Sequence, residues 1–177
     1  FMEPGKRSLA EKFVVLLAEG FGAGRAPFAP GTFGTLAGFL WIYLLLLPHN
    51  LWIYLAGIFV GFFVAVWIGG RAERIMGVTD PGSIVIDEIT ALPLAFLPAA
   101  LWTINGISVR GFEQYFTVRE IALPLLCFVF FRIFDIAKPL GIRRIQSLPG
   151  GWGLVVDDFL AAMAAAVPLW IVLMFFY

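Results

Sequence analysis

The chain has 177 residues, with 12 basic and 12 acidic side chains and a formal net charge of zero. Hydrophobic residues make up 61% of the chain, charged residues make up 14%, and the mean hydropathy is +0.94. This composition excludes an ordinary soluble protein and indicates a membrane protein, while the length predicts a single domain over residues 1–177.

The first apolar segment, residues 13–24, contains Glu19 and three glycines. Its uninterrupted apolar core covers only residues 13–18, which is too short for a signal peptide or for a membrane span. We therefore predict an interfacial or half-inserted helix near the N-terminus.

Five longer apolar runs follow, at residues 36–48, 51–70, 89–104, 121–136 and 159–177. The second and fifth runs are long enough to cross alone, since a helix needs about 20 residues to span the hydrocarbon core. The other three runs need a few flanking residues to reach that length. We predict an all-α, polytopic helical bundle with about five spans, or four if the first run is a re-entrant or interfacial piece.

The basic residues predict how these spans are oriented. If the N-terminus is cytoplasmic, two basic residues, Arg110 and Arg119, lie outside. The other ten lie on the cytoplasmic side: Lys6, Arg7, Lys12, Arg25, Arg71, Arg74, Arg132, Lys138, Arg143 and Arg144. This bias follows the positive-inside rule, and five spans then place both the C-terminus and the turn at His49 outside.

The same topology places six acidic residues at the cytoplasmic face: Asp80, Asp87, Glu88, Asp135, Asp157 and Asp158. Acids at a membrane boundary usually pair with bases, face a cavity or hold a cation, because a desolvated carboxylate is costly. Several converging carboxylates cannot neutralise one another. A divalent metal is the expected partner, and hard oxygen ligands favour magnesium, calcium or manganese over zinc.

Two basic residues lie near the end of the fourth run, in the stretch FFRIFDIAKPL. Arg132, Asp135 and Lys138 are spaced by three and therefore share one helix face. One interpretation is a self-paired stripe that lets a helix end tolerate its charges. The other is a phosphate site beside the carboxylates, since arginine contacts phosphate oxygens with two donors and lysine supplies a point charge.

Two glycine-rich stretches lie on the same predicted side, RAPFAPGTFGTLAG and LPGGWGLVVDD. The first places Thr32 and Thr35 near a helix start, where hydroxyl and backbone N–H groups are available to a phosphate. The second precedes the paired aspartates. Turns and helix starts are the common alternative for such stretches, and the pairs Gly34/Gly38 and Gly57/Gly61 also fit close helix packing.

Taken together, four stretches resemble the phosphatidylglycerophosphatase A family of bacterial inner-membrane enzymes. They are residues 22–38, GSIVIDE, FRIFDIAKPLGI and GGWGLVVDD, and their order and spacing are kept over residues 20–165. The resemblance implies magnesium-dependent hydrolysis of the terminal phosphomonoester of phosphatidylglycerophosphate to phosphatidylglycerol, with manganese as a possible substitute. One departure is Gly141, which stands where the family often has a second proline.

The resemblance also implies roles for individual residues. The implied metal ligands are Asp87, Glu88, Asp135, Asp157 and Asp158. The implied catalytic set is Asp87, Glu88, Asp135, Asp158 and Lys138, with Glu88 and Asp158 as candidates for the general base. Substrate phosphate would be bound by Arg132, Lys138, Thr32, Thr35 and Arg25. The implied partners are the lipid substrate and membrane lipids, with no nucleic acid, and the oligomeric state is left open.

Other reactive or charged residues are predicted to be structural. Cys127 does not have the spacing to Arg132 that cysteine phosphatases use, and His49 lies at the predicted outer turn. No Asp-x-Asp motif is present, which argues against an aspartyl-phosphate enzyme. We expect Cys127 to be a buried small hydrophobe. Arg71, Glu73 and Arg74 are expected to form a solvated face after the second run.

Three alternatives to this activity stay open at this point. One is a phosphatase for another phospholipid, such as phosphatidic acid. Another is a cation transporter, although its acids would lie near the bilayer midplane and its halves would show a repeat. The third is a structural subunit in which the charges only form salt bridges at helix ends.

Overall fold

The computed structural model describes residues 7–104, 121–138 and 148–176, and these residues form helices and the turns between them. The elements are α1 (Leu9–Ala18), a 3₁₀ helix (Gly20–Arg25), α2 (Pro30–Leu46), α3 (Leu51–Met76), α4 (Ile86–Ala95), α5 (Leu97–Ile104), α6 (Ala122–Ala137) and α7 (Trp152–Phe176). No strand occurs in these ranges, so the all-α prediction is confirmed for them.

The N-terminal helix is shorter than the apolar segment from which it was predicted. A capping box begins α1: the Ser8 hydroxyl accepts from the Glu11 N–H at 3.2 Å, and the Ser8 N–H donates to the Glu11 carboxylate at 2.7 Å. The α-helix ends at Ala18, because Gly20, directly after the capping residue Glu19, adopts a positive φ of 56°, and Phe21 and Gly22 follow with 54° and 104°. The placement of this helix at the membrane interface stays a prediction.

Two described helices, α3 with 26 residues and α7 with 25, are long and apolar enough to cross a membrane. Taken together, α4 and α5 are also long and apolar enough to cross a membrane, although the pair is bent by 53°. The apolar α2 has only 17 residues, and α6 has 16. Two or three candidate spans support a membrane protein, and the count of five stays a prediction.

The bend between α4 and α5 falls inside the third apolar run. Pro98 lies in the first turn of α5, where its ring lacks an N–H and crowds the carbonyl of Leu94, four residues earlier. Phe96 separates the two helices and is fully buried. The run is therefore continuous in hydropathy but interrupted in backbone geometry, as proline predicts.

The α4 helix packs against α2, α3, α6 and α7. Small residues allow this: a Cβ atom on Gly34 would lie 2.6 Å from Val85 Cβ, and one on Gly38 would lie 3.0 Å from Leu92 Cβ. Between α3 and α2, a Cβ atom on Gly57 would lie 2.2 Å from Leu45 Cδ2, whereas Gly61 has room for a methyl group. Close packing is confirmed for the first three glycines and is not required at Gly61.

Two side chains that were predicted to be structural lie in the described ranges, and several other predicted residues lie outside them. His49 lies in the exposed turn between α2 and α3, and Cys127 is buried in α6, as predicted. Several residues that enter the orientation argument or the family pattern lie outside the described ranges: Lys6, Arg110, Arg119, Gly141, Arg143 and Arg144. The orientation of the bundle in the membrane therefore stays a prediction.

Candidate active site

Three helix ends bring acidic side chains together. Asp87 and Glu88 lie in the first turn of α4, Asp135 in the last turn of α6, and Asp157 and Asp158 near the start of α7. One carboxylate oxygen each from Asp87, Glu88 and Asp158 lies within 4.8 Å of the others. We call these three residues the carboxylate cluster.

The acidic residues are shielded from solvent and incompletely paired. Asp87, Asp157 and Asp158 are each at most 5% exposed. Four buried carboxylate oxygens have no hydrogen-bond partner within the described ranges: Asp87 Oδ1, Glu88 Oε2, Asp157 Oδ1 and Asp158 Oδ2. Burying unpaired charge costs several kcal/mol per ion. A set of carboxylate oxygens that lack hydrogen-bond partners fits a hard divalent cation, and the carboxylate cluster could hold such an ion.

Arg132 connects α6 to α4. Its Nη1 atom donates to Asp135 Oδ2 at 2.7 Å and lies 3.9 Å from Glu88 Oε1, while its Nε atom is buried without a hydrogen-bond partner in the described part of the chain. The self-paired stripe considered from the sequence is therefore present. Arg132 also lies near Glu88 of the carboxylate cluster, and the spacing of residues along α6 alone could not predict this contact with α4.

Lys138 connects α6 to α7. It follows the last residue of α6 in a left-handed conformation, pairs with Asp157, and has its Nζ atom 3.9 Å from Asp135 Oδ1. Partial burial tends to lower the Lys138 pKa, but the hydrogen bond and negative charge of Asp157 outweigh burial and raise the pKa above its usual value. Lys138 is therefore a cation at neutral pH.

The start of α2 also reaches the site. A Cβ atom built on Gly31 would lie 2.3 Å from Glu88 Oε1 and 3.0 Å from Arg132 Nη1, so a side chain there would displace both groups. No side chain caps this helix start. Gly31 was missed as a site residue, although the Pro-Gly pair at a helix start signals a close approach of backbone.

Of the three remaining residues expected to bind phosphate, Thr35 and Arg25 make side-chain contacts elsewhere. Thr35 is buried and its hydroxyl donates to the Gly31 carbonyl at 2.8 Å, while Thr32 is half-buried in the first turn of α2. Arg25 is exposed and pairs with Glu19 at 2.7 Å. Of these three residues, Thr32 directly follows Gly31, the residue whose backbone lies against Glu88 and Arg132.

Glu73 differs from the expectation of a solvated face. Its Oε1 atom accepts a hydrogen bond from the Asp80 N–H at 2.8 Å, and its Oε2 atom accepts one from the Gly151 N–H at 3.2 Å. Arg71 and Arg74 are exposed, as predicted. The prediction for Glu73 was wrong because one of its partners is 78 residues away in the sequence.

A family model for phosphatidylglycerophosphatase A matches residues 16–173 of the chain. A Haemophilus influenzae phosphatidylglycerophosphatase A is 36% identical over 155 residues, which are 86% of this chain and 83% of the relative. The Escherichia coli phosphatidylglycerophosphatase A is 34% identical over 155 residues, which are 85% and 78% of the two chains.

A third relative, from Bacteroides thetaiotaomicron, is 36% identical over 168 residues, which are 89% of this chain and 94% of the relative. Its name provisionally describes a phosphatidylinositol-3-phosphatase. No solved structure gave a significant match. The family match covers α2 to α6 and nearly all of α7, and therefore every residue of the carboxylate cluster. The chain belongs to the phosphatidylglycerophosphatase A family and is a phosphatase.

Proposed function

We propose that the protein hydrolyses the terminal phosphomonoester of phosphatidylglycerophosphate to phosphatidylglycerol and phosphate. The observation that carries this proposal is the carboxylate cluster, buried with unpaired oxygens and placed beside Arg132 and Lys138. Two relatives with more than three-quarters of their length matched are named for this substrate.

The proposed cofactor is magnesium, with manganese as a substitute. The ion would be held by Asp87, Glu88 and Asp158, because their carboxylate oxygens converge. Each of these residues also has one buried oxygen without a hydrogen-bond partner among the described residues. Asp135 and Asp157 are already paired with Arg132 and Lys138 and would surround the site. When bound, such a cation stabilises negative charge on phosphate oxygens as a Lewis acid.

The chain's own residues would bind and orient the phosphate. Arg132 carries positive charge to Glu88 of the carboxylate cluster and Lys138 carries it to the neighbouring Asp135 and Asp157, where these charges would offset charge that develops on the phosphoryl oxygens. The start of α2 at Gly31 presents a helix N-terminus to the same place. Glu88 or Asp158, whichever of the two is not bound directly to the metal, would accept the proton of the attacking water.

A lipid substrate is favoured by an apolar groove between α7, which carries Asp158, and the bent α4–α5 pair, which carries Asp87 and Glu88. The groove has a volume of about 420 Å³ and is lined by residues that include Leu94, Leu97, Met163, Val167 and Trp170. Met163 lies five residues after Asp158, which is about 7.5 Å along a helix. Acyl chains would lie in this groove or in the surrounding bilayer while the head group reaches the acids.

The proposed location is the cytoplasmic membrane of a bacterium, with the site facing the cytoplasm. Two or three apolar helices and three bacterial relatives support a bacterial membrane protein. The cytoplasmic orientation depends on the excess of basic residues on one side of the predicted spans.

A second candidate is hydrolysis of a phosphatidylinositol monophosphate at the same site. The relative with 94% of its length matched is named for that class of substrate. Both candidates are phosphomonoesters on a lipid anchor, and the described residues provide the same acids and bases for either. The cation-transporter and structural-subunit alternatives receive no support from the family match.

The test is phosphate release by purified, detergent-solubilised protein. Phosphatidylglycerophosphate, phosphatidylinositol 3-phosphate and phosphatidic acid are compared, each with magnesium and with a chelator. We expect magnesium-dependent release that is fastest with phosphatidylglycerophosphate and lost in Asp158→Asn. Faster release from another lipid would reassign the substrate, and no release from any lipid by folded wild-type protein would contradict the proposal.

A further inference from the structure

One carboxylate on α3 joins the two segments that lead into α4 and α7. Glu73 accepts one hydrogen bond from the Asp80 N–H and another from the Gly151 N–H, each on a different oxygen. Asp80 lies in the segment between α3 and α4, and Gly151 directly precedes α7. Both helices carry members of the carboxylate cluster in their first two turns.

The contact with Gly151 is made where backbone lies directly on backbone. Gly151 has a φ of 66°, and a Cβ atom there would lie 2.2 Å from the Val66 carbonyl oxygen and 2.7 Å from the Gly70 nitrogen. The Gly151 carbonyl accepts the helical hydrogen bond from the Val155 N–H at 3.1 Å. Glu73 therefore holds the residue at which the hydrogen bonding of α7 begins.

The contact with Asp80 holds the other segment. Asp80 has a positive φ of 49°, a conformation that non-glycine residues adopt only when their surroundings favour it. Further along, the Val85 N–H donates to the Ala18 carbonyl at 2.9 Å, directly before α4 begins at Ile86. The Asp80 contact is thus one of the hydrogen bonds that attach this segment to the rest of the fold.

We propose that Glu73 is a positioning residue that fixes the starts of α4 and α7 relative to each other, so that Asp87, Glu88 and Asp158 converge. The inference rests on the proposed phosphatase site. Glu73 needs both carboxylate oxygens for this, because each one accepts from a different backbone N–H. Glutamine has nearly the same shape but only one acceptor oxygen, and its NH₂ group would face one of the two donors.

The test is Glu73→Gln in the full-length protein, measured first by hydrogen–deuterium exchange. We expect exchange to become faster over residues 78–85 and 150–156, by about tenfold in the segment that loses its hydrogen bond and by less in the segment that keeps a bond to the uncharged amide oxygen. Glu11→Gln is the matched control, since Glu11 also accepts a backbone N–H and lies at the start of α1. The control should leave both segments unchanged.

The second measurement separates a positioning role from a purely structural one. We expect kcat of Glu73→Gln to fall about tenfold, as for residues that support ligands indirectly, while KM for the lipid changes less than twofold. The magnesium concentration that half-maximally raises the melting temperature should increase. Faster exchange with wild-type kcat and wild-type magnesium response would overturn the positioning role, and unchanged exchange would overturn the proposed connection itself.

A second variant decides the role of Glu73 if Glu73→Gln does not fold. If Glu73→Gln does not fold, Glu73→Asp retains the charge but is one methylene shorter, and we expect faster exchange in at least one segment with an intermediate kcat. Wild-type values in Glu73→Asp would then overturn the proposal. If wild-type protein releases phosphate from none of the lipids, the proposed function fails, whereas exchange and the magnesium melting response still decide the role of Glu73.

Discussion

The helices α1 and α4 both begin with an acidic residue in the first turn, yet the two helix starts differ in what surrounds the acid. Glu11 of α1 is only partly covered, and its carboxylate accepts the Ser8 N–H in a closed capping box. Asp87 and Glu88 of α4 are shielded, and each has an oxygen without a partner in the described residues. An acid that completes a cap stabilises its helix, whereas a buried unpaired acid indicates a ligand.

The largest expected effect comes from neutralising an acid of the carboxylate cluster. Asp158→Asn should lower kcat/KM by more than about 100-fold, since even residues that only support metal ligands cost 10–100-fold. In the absence of metal the same variant should melt at a higher temperature, because it removes one of several converging negative charges. Magnesium should raise the melting temperature of the wild-type protein and not that of the variant.

These measurements are made by phosphate release and by thermal unfolding on the same preparations. An Asp158→Asn protein with full activity would show that the α4 acids and Asp158 do not form the site. In that case the acids at the starts of α1 and α4 would differ only in how deeply they are buried, and not in whether they bind a ligand.

A second change crowds the acids of α4 without altering any charge. Gly31→Ala should lower kcat by about 10–100-fold, because the new methyl group would overlap the Glu88 carboxylate and displacements of about 1 Å at a site can cost 100-fold. Gly82→Ala is the matched control, since Gly82 has open space around its Cα. Equal activities of the two variants in the phosphate assay would argue against the approach of α2 to the site.

A third change keeps the positive charge of Arg132 but removes its planar fork. Arg132→Lys should lower kcat/KM about tenfold, because one ammonium group cannot reproduce guanidinium contacts to both Asp135 and an incoming phosphate. Arg74→Lys, at an exposed position of α3, serves as the control. Wild-type kinetics in Arg132→Lys would indicate that Arg132 only supports the helix end, as the self-paired interpretation holds.

The smallest effect is expected at α1. Ser8→Ala removes the hydroxyl that caps the Glu11 N–H and should lower the melting temperature by a few degrees while kcat stays at its wild-type value. Thermal unfolding and the phosphate assay check the two parts. A large loss of activity in Ser8→Ala would mean that the start of α1 also contributes to the site.

The sequence predicted the residue types of the site more completely than their arrangement. The acids and the bases Arg132 and Lys138 were identified because charged residues are rare in so apolar a chain and recur at the ends of its apolar runs. Their convergence is nonlocal, since α4, α6 and α7 are separated by segments whose path is not encoded in local spacing. Gly31 and Glu73 were missed for the same reason: their close neighbours lie far away in the sequence.

Composition and pattern alone determined that this is an apolar, all-α membrane protein, and the four ordered stretches were enough to indicate its family. Those features depend on hydropathy, proline, glycine and charge within short windows, where local chemistry decides the outcome. Only the tertiary structure decided the approach of Gly31 to Glu88, the pairing of Lys138 with Asp157, and the meeting of Asp87, Glu88 and Asp158. These features depend on how helices pack against one another, which is a property of the whole fold.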